Sequence, residues 1–159
     1  MSSEVPASWD LEAKKAQAVA ARTYAMMKRA DAEGAWHLES TVADQVYSGK
    51  AVDATTQAAV TATHGEILTR DGYLVSAFYH STCGGRTETP HNVWTEVPSH
   101  GNSSADCGFC ERAPSYSWSV DVTTADLLGA AKKAGHDASQ VLGLHVRSRS
   151  ESDRVTALE

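Results

Sequence analysis

A chain of 159 residues with 42% hydrophobic content is long enough to bury one core without staples, and it reads as a single domain, 1–159. Its formal net charge of -6 argues against sequence-independent binding to nucleic acid or anionic lipid, since both need clustered Lys and Arg. The longest apolar run, Ala18 to Ala21, is too short to span a bilayer, and the first residues lack the basic and apolar regions of a signal peptide. With motif-like sequence starting almost directly after Met1-Ser2, the chain reads as an excised piece truncated at both ends.

Taken in chain order, Asp10 is placed to cap a helix from Leu11 to about Ala30, closed near Gly34. At 100° per residue, Glu12, Ala16, Val19, Thr23 and Met26 share one stripe and Leu11, Ala18 and Ala25 another. Only the sector with Lys14, Gln17, Ala21 and Lys28 looks solvated, so the helix is expected to be mostly buried. Residues 35–50 read as irregular, anchored by Trp36, Val42, Val46 and Tyr47 and turning at Ser48-Gly49. Asp53 or Thr55 is the expected cap of a second helix, Thr56 to Thr63. Glu66 to Arg70 and Tyr73 to Tyr79 flank Asp71-Gly72, the two-residue signal of a type I′ hairpin. The near-continuous apolar character of Tyr73 to Tyr79 predicts a central strand that delivers His80 to Gly85 to a sheet edge.

The segment from Pro90 to Pro114 is long, aperiodic and rich in Pro, Gly, Ser and Asn, and it carries Cys107 and Cys110. Loops of that length are usually functional or tied down by a link. Tyr116 to Val122 alternates as a strand, and Thr124 caps a helix from Ala125 to Ala134 that stops at Gly135. Val141 to Ser148 and Val155 to Leu158 form a last pair across a turn at Glu151 to Asp153. The expected fold is α+β, a long buried N-terminal helix on a mainly antiparallel sheet with a long Cys-containing loop.

Chemistry concentrates in Tyr79-His80-Ser81-Thr82-Cys83-Gly84-Gly85-Arg86-Thr87-Glu88. Adjacent strand residues point to opposite faces, so His80 is badly placed to activate Ser81 as a nucleophile. Gly84-Gly85 fits a sharp turn or a close approach of ligand to backbone. Three cysteines cannot all pair in disulfides. Cys83 with the CxxC pair Cys107 and Cys110, and His80 or His91 as fourth ligand, would suit tetrahedral zinc; a disulfide plus one free thiol is the alternative. Two carboxylates precede or open the long helix. Glu4 stands before the proline of Val5-Pro6, and Glu12 lies in the first helical turn, where the helix dipole favours the charged carboxylate. Surface or helix-start roles are the ordinary alternatives for both.

Glu12 to Ala25, EAKKAQAVAARTYA, closely resembles the EALKAQAVAARTYA signature of the SpoIID/LytB family of stage II sporulation protein D and amidase-enhancer domains. Ser3-Glu4-Val5-Pro6 is similar to the family's preceding SEMP motif, and Tyr79 to Glu88 followed by Val93-Trp94 to its YHSTCGGRTE…VW segment. Lys14 departs from the signature's Leu, and Val5 from its usual Met. The resemblance implies a peptidoglycan lytic transglycosylase acting in the cell wall or membrane–wall space, in sporulation or vegetative remodelling. Such an enzyme cleaves between N-acetylmuramic acid and N-acetylglucosamine in glycan strands stripped of peptide. It implies Glu4 or Glu12 as the general acid/base, with Glu4 favoured because it escapes the helix-start field. It further implies Lys15, Arg22, Tyr24, Tyr79, His80, Ser81, Thr82, Gly84, Gly85 and Arg86 as substrate-binding residues. A wall amidase is the implied protein partner, and a non-catalytic wall-binding or amidase-activating module is the competing reading.

Overall fold

The computed structural model describes residues 3–31, 34, 37–49, 51–94 and 103–159. The expectations for Trp36 and for residues 95–102 of the long loop fall outside them. The fold is α+β, with helices α1 (Leu11–Asp31), α2 (Ala54–Ala62) and α3 (Thr124–Lys133). Its strands β1 (Thr69–Arg70), β2 (Tyr73–Leu74), β3 (Val146–Arg149) and β4 (Val155–Leu158) form two separate antiparallel ribbons. No helix is long and apolar enough to cross a membrane among the described residues. The chain divides into two compact units, the first ending at His80 and the second built from residues 81–94 and 103–159.

In the first unit α1 packs on α2 and touches β2. The buried side of α1 is Lys14, Ala18, Thr23, Tyr24 and Met27, while Glu12, Leu11 and Met26 are exposed. The wheel expectation is therefore rotated: Lys14, expected in water, is wholly buried, and Glu12, expected inward, is not. Lys14 tolerates burial because all three of its ammonium protons are used. Nζ donates to the Ala7 carbonyl (2.8 Å) and to Thr55 Oγ1, and it pairs with Asp53 Oδ1 at 3.1 Å. Asp53 in turn caps α2, accepting from the Thr56 amide (2.9 Å) and from the Thr55 and Thr56 hydroxyls, which hold its carboxyl far below the ordinary carboxylate range.

Asp71 (φ 53) and Gly72 (φ 84) take the paired left-handed conformations of the expected type I′ turn. The strand beyond it is not central, however, for only Tyr73 and Leu74 pair in a ladder. The apolar run reports burial against helices instead, with Ser76 and Ala77 buried and the Phe78 ring edge-on to Tyr24 at 5.9 Å. Nor do Val42 and Tyr47 anchor the 37–49 segment, both being largely exposed.

In the second unit Thr123, one residue before the expected Thr124, caps α3 in a reciprocal capping box with Asp126. β3 and β4 form the expected C-terminal pair, with β3 shorter than its apolar run. The alternating stretch Tyr116 to Val122 forms no strand, and Trp118, Val120 and Val122 are exposed. No described segment offers it a partner edge, without which alternation has nothing to register against.

Candidate functional site

Glu4 is half-buried, next to the buried Val5, in the loop leading to α1. Its Oε1 accepts the Val46 amide at 2.7 Å, and Oε2 is engaged by no described residue. The segment on either side is tethered, Ser3 Oγ to Ser48 Oγ at 2.8 Å and the Ala7 carbonyl to Lys14. Residues 44–46 are themselves fixed to α1. Asp44 accepts from Tyr24 Oη (2.7 Å) and pairs with Lys28 (2.9 Å), and the Gln45 side-chain Nε2 donates to the Ala21 carbonyl (2.9 Å). Burial opposes the charge on Asp44, but the Glu39 amide, the Tyr24 hydroxyl and Lys28 outweigh it and hold the carboxyl below its ordinary range. Burial and the Asp44 carboxylate together push the Tyr24 phenol above its own. Asp44, Gln45 and Val46 carry no sequence signal that links them to Glu4 across 42 residues.

The Tyr79 hydroxyl is buried and makes no hydrogen bond of ordinary geometry with a described residue. Burial raises its pKa, the charge of Glu4 raises it further, and the Gln45 side chain acts the other way. A half-buried carboxylate with a free oxygen and a buried phenol without an acceptor thus lie in one electrostatic environment.

The other expected site residues divide. Glu12 is exposed and pairs with Lys15 (2.6 Å), so two predicted site residues spend their charge on each other at the helix surface. Tyr24 holds Asp44, and Arg22 holds the Glu66 carbonyl (2.7 Å). His80 and Ser81 are exposed. Thr82, Gly84 and Arg86 line a cavity of about 530 Å³ with Tyr116, Trp118 and Arg154. Gly84 (φ 67) and Gly85 (φ 103) are required by backbone conformation, and a Cβ on Gly85 would stand 3.3 Å from the Tyr116 hydroxyl. The close approach at Gly85 is thus made by Tyr116.

Cys83, Cys107 and Cys110 converge, with their sulfurs all within 4.8 Å of one another. None is bonded: Cys83 to Cys110 is 3.4 Å and Cys107 to Cys110 is 3.8 Å. Zinc–sulfur bonds of about 2.3 Å in a tetrahedron separate sulfurs by about 3.8 Å, so the three fit three corners of such a site. Among the described residues no histidine, neither His80 nor His91, belongs to the group. The backbone brings the sulfurs together: Cys107 N donates to Gly85 O and Thr87 N to Ala105 O, both at 2.8 Å, around an Arg86–Asp106 bridge. Burial, then the neighbouring sulfurs, raise the Cys83 thiol against the pull of the Gly85 amide. The Phe109 amide, then the other two thiols, lower that of Cys107.

A family model described as Stage II sporulation protein (SpoIID) matches residues 1–70. The Amidase enhancer of Bacillus subtilis strain 168 is 45% identical over 92 residues, 58% of this chain and 12% of that protein. The first 70 residues of this chain are therefore similar to the SpoIID family. An uncharacterized protein of Brachyspira hyodysenteriae is 38% identical over 95 residues, 57% of this chain and 26% of that protein. The chain therefore spans well under half the length of either relative, and no solved structure matches it. The stretch similar to that family contains α1 and, before it, the tethered loop that carries Glu4.

Proposed function

We propose that this SpoIID-like domain is a peptidoglycan lytic transglycosylase acting on peptide-free glycan strands, outside the cytoplasmic membrane, with Glu4 as its single acid/base. The observation that carries this reading is the setting of Glu4, with one oxygen fixed by the Val46 amide and its charge acting on the buried Tyr79 hydroxyl. Glu4 in its acid form gives a proton to the glycosidic oxygen as the bond from C1 to that oxygen breaks. The resulting carboxylate takes the proton from the sugar's own 6-hydroxyl as O6 bonds to C1, which leaves a 1,6-anhydro end and restores the acid. One carboxyl serves both steps, so the second carboxylate of ordinary glycosidases is unnecessary. Glu12 suits neither, being exposed and paired with Lys15. Glu4→Gln is expected to abolish turnover of denuded glycan and Glu12→Gln to retain most of it; the reverse pattern moves the role to Glu12.

The name of the Bacillus subtilis relative, Amidase enhancer, favours a second reading, a non-catalytic wall-binding module that activates an amidase. Binding of denuded glycan without anhydro products, together with stimulation of a wall amidase, would establish it. In either case the three cysteines are suited to three corners of a structural zinc site. Metal analysis of the reduced protein is expected to find one zinc per chain and loss of it in Cys107→Ser. A metal-free parent protein removes the zinc proposal.

A further inference from the structure

We propose that Arg154 and Glu88, braced by Ser150 and Ser152, form the outer shell of the three-cysteine centre and set its metal affinity, an inference that rests on the zinc reading above. Arg154 lies 71 residues from Cys83, in the turn between β3 and β4. Its Nη2 donates to the carbonyls of Cys83 (2.6 Å) and Arg86 (2.8 Å). One amino group therefore spans both ends of the Cys83–Arg86 turn, which supplies the buried sulfur and, through Gly85, the carbonyl that binds the Cys107 amide. Fixing that turn fixes where Cys83 stands relative to Cys107.

Arg154 is itself held. Its Nη1 makes no hydrogen bond with a described residue and lies 3.9 Å from Glu88 Oε2, which accepts from Ser152 Oγ (2.5 Å) and Ser150 Oγ (2.8 Å). Glu88 Oε1 accepts from the Thr89 amide (2.8 Å) and Asn92 Nδ2 (3.0 Å). Burial opposes the charge on Glu88, but the Ser152 hydroxyl, the Asn92 amide, the Ser150 hydroxyl and the Thr89 backbone amide more than offset it and hold its pKa at about 2. The carboxylate thus stays charged at any pH at which thiolates can bind a metal. Orienting partners of this kind are worth roughly ten- to hundredfold in metal affinity where they have been removed from other sites.

The test is equilibrium binding of zinc by the reduced 159-residue chain in competition with a chromophoric chelator, with cobalt absorption as a second readout. Arg154→Met, which keeps the aliphatic stem, is expected to raise Kd for zinc about ten- to hundredfold and to shift the sulfur-to-cobalt charge-transfer band. Arg154→Lys should recover part of the loss and Ser152→Ala should show a smaller one. Kd values within twofold of the parent for both Arg154→Met and Ser152→Ala overturn the clamp while leaving the metal site standing. If Arg154→Met does not fold, Ser152→Ala decides, since it keeps both charges. A parent chain that takes up neither zinc nor cobalt removes the zinc reading and the clamp together.

Discussion

At the scale of single residues, burial decides which charged groups matter. Glu4 and Glu12 carry the same chemistry, but one is tied into a tethered loop beside a buried phenol and the other is spent on Lys15 in water. Lys14 makes the same point from the other side. It stands where the family signature has Leu, and its stem fills an apolar position while its head finds three acceptors. Lys14→Met keeps the stem and strands those acceptors, of which the Asp53 side chain is 34% exposed. A loss of about 1–3 kcal/mol is expected, read from the midpoint shift in urea unfolding. An unchanged midpoint would mean that the ammonium contributes nothing beyond its methylenes.

Among the elements, the β3–β4 turn is the one that reaches furthest, because Ser150, Ser152 and Arg154 converge on Glu88 and the Cys83 turn. Its pH dependence follows in sign from Glu88. The folded-state pKa, about 2, lies below the ordinary 4.5, so the stabilisation is complete above about pH 4.5 and is lost as pH falls toward 2. Acid unfolding of the parent should therefore steepen below pH 4.5, and Glu88→Gln should remove that part of the dependence. A Glu88→Gln profile parallel to the parent's would show that the carboxylate is not favoured by the fold. The same sign applies to Asp44, whose carboxyl is also held low, so the contrast between parent and variant carries the test.

For the whole molecule, the sequence was legible where structure is local. The Asp71-Gly72 turn, the Asp53 cap, the extent of α1 and the terminal ribbon all follow from neighbouring residues. It misled where burial depends on distant partners. A lysine reads as solvated until Ala7, Asp53 and Thr55 are brought to it, and Tyr73 to Tyr79 reads as a central strand when its apolar side chains serve α1. The convergence of the three cysteines was legible in the sequence, and the hydrogen-bonded surroundings of Glu4 and Cys83 were not. Val46 and Gln45 around Glu4, and Ser152 and Arg154 around Glu88 and Cys83, are polar residues in irregular segments with nothing local to mark them. The central claim is that Glu4 moves the proton in a water-free cleavage of glycan, and mass spectrometry of denuded strands incubated with the parent, Glu4→Gln and Glu12→Gln proteins tests it most directly. 1,6-Anhydro-muramyl ends are expected from the parent and from Glu12→Gln and none from Glu4→Gln; anhydro ends from Glu4→Gln at the parent's rate, or none from the parent, would overturn the assignment of Glu4.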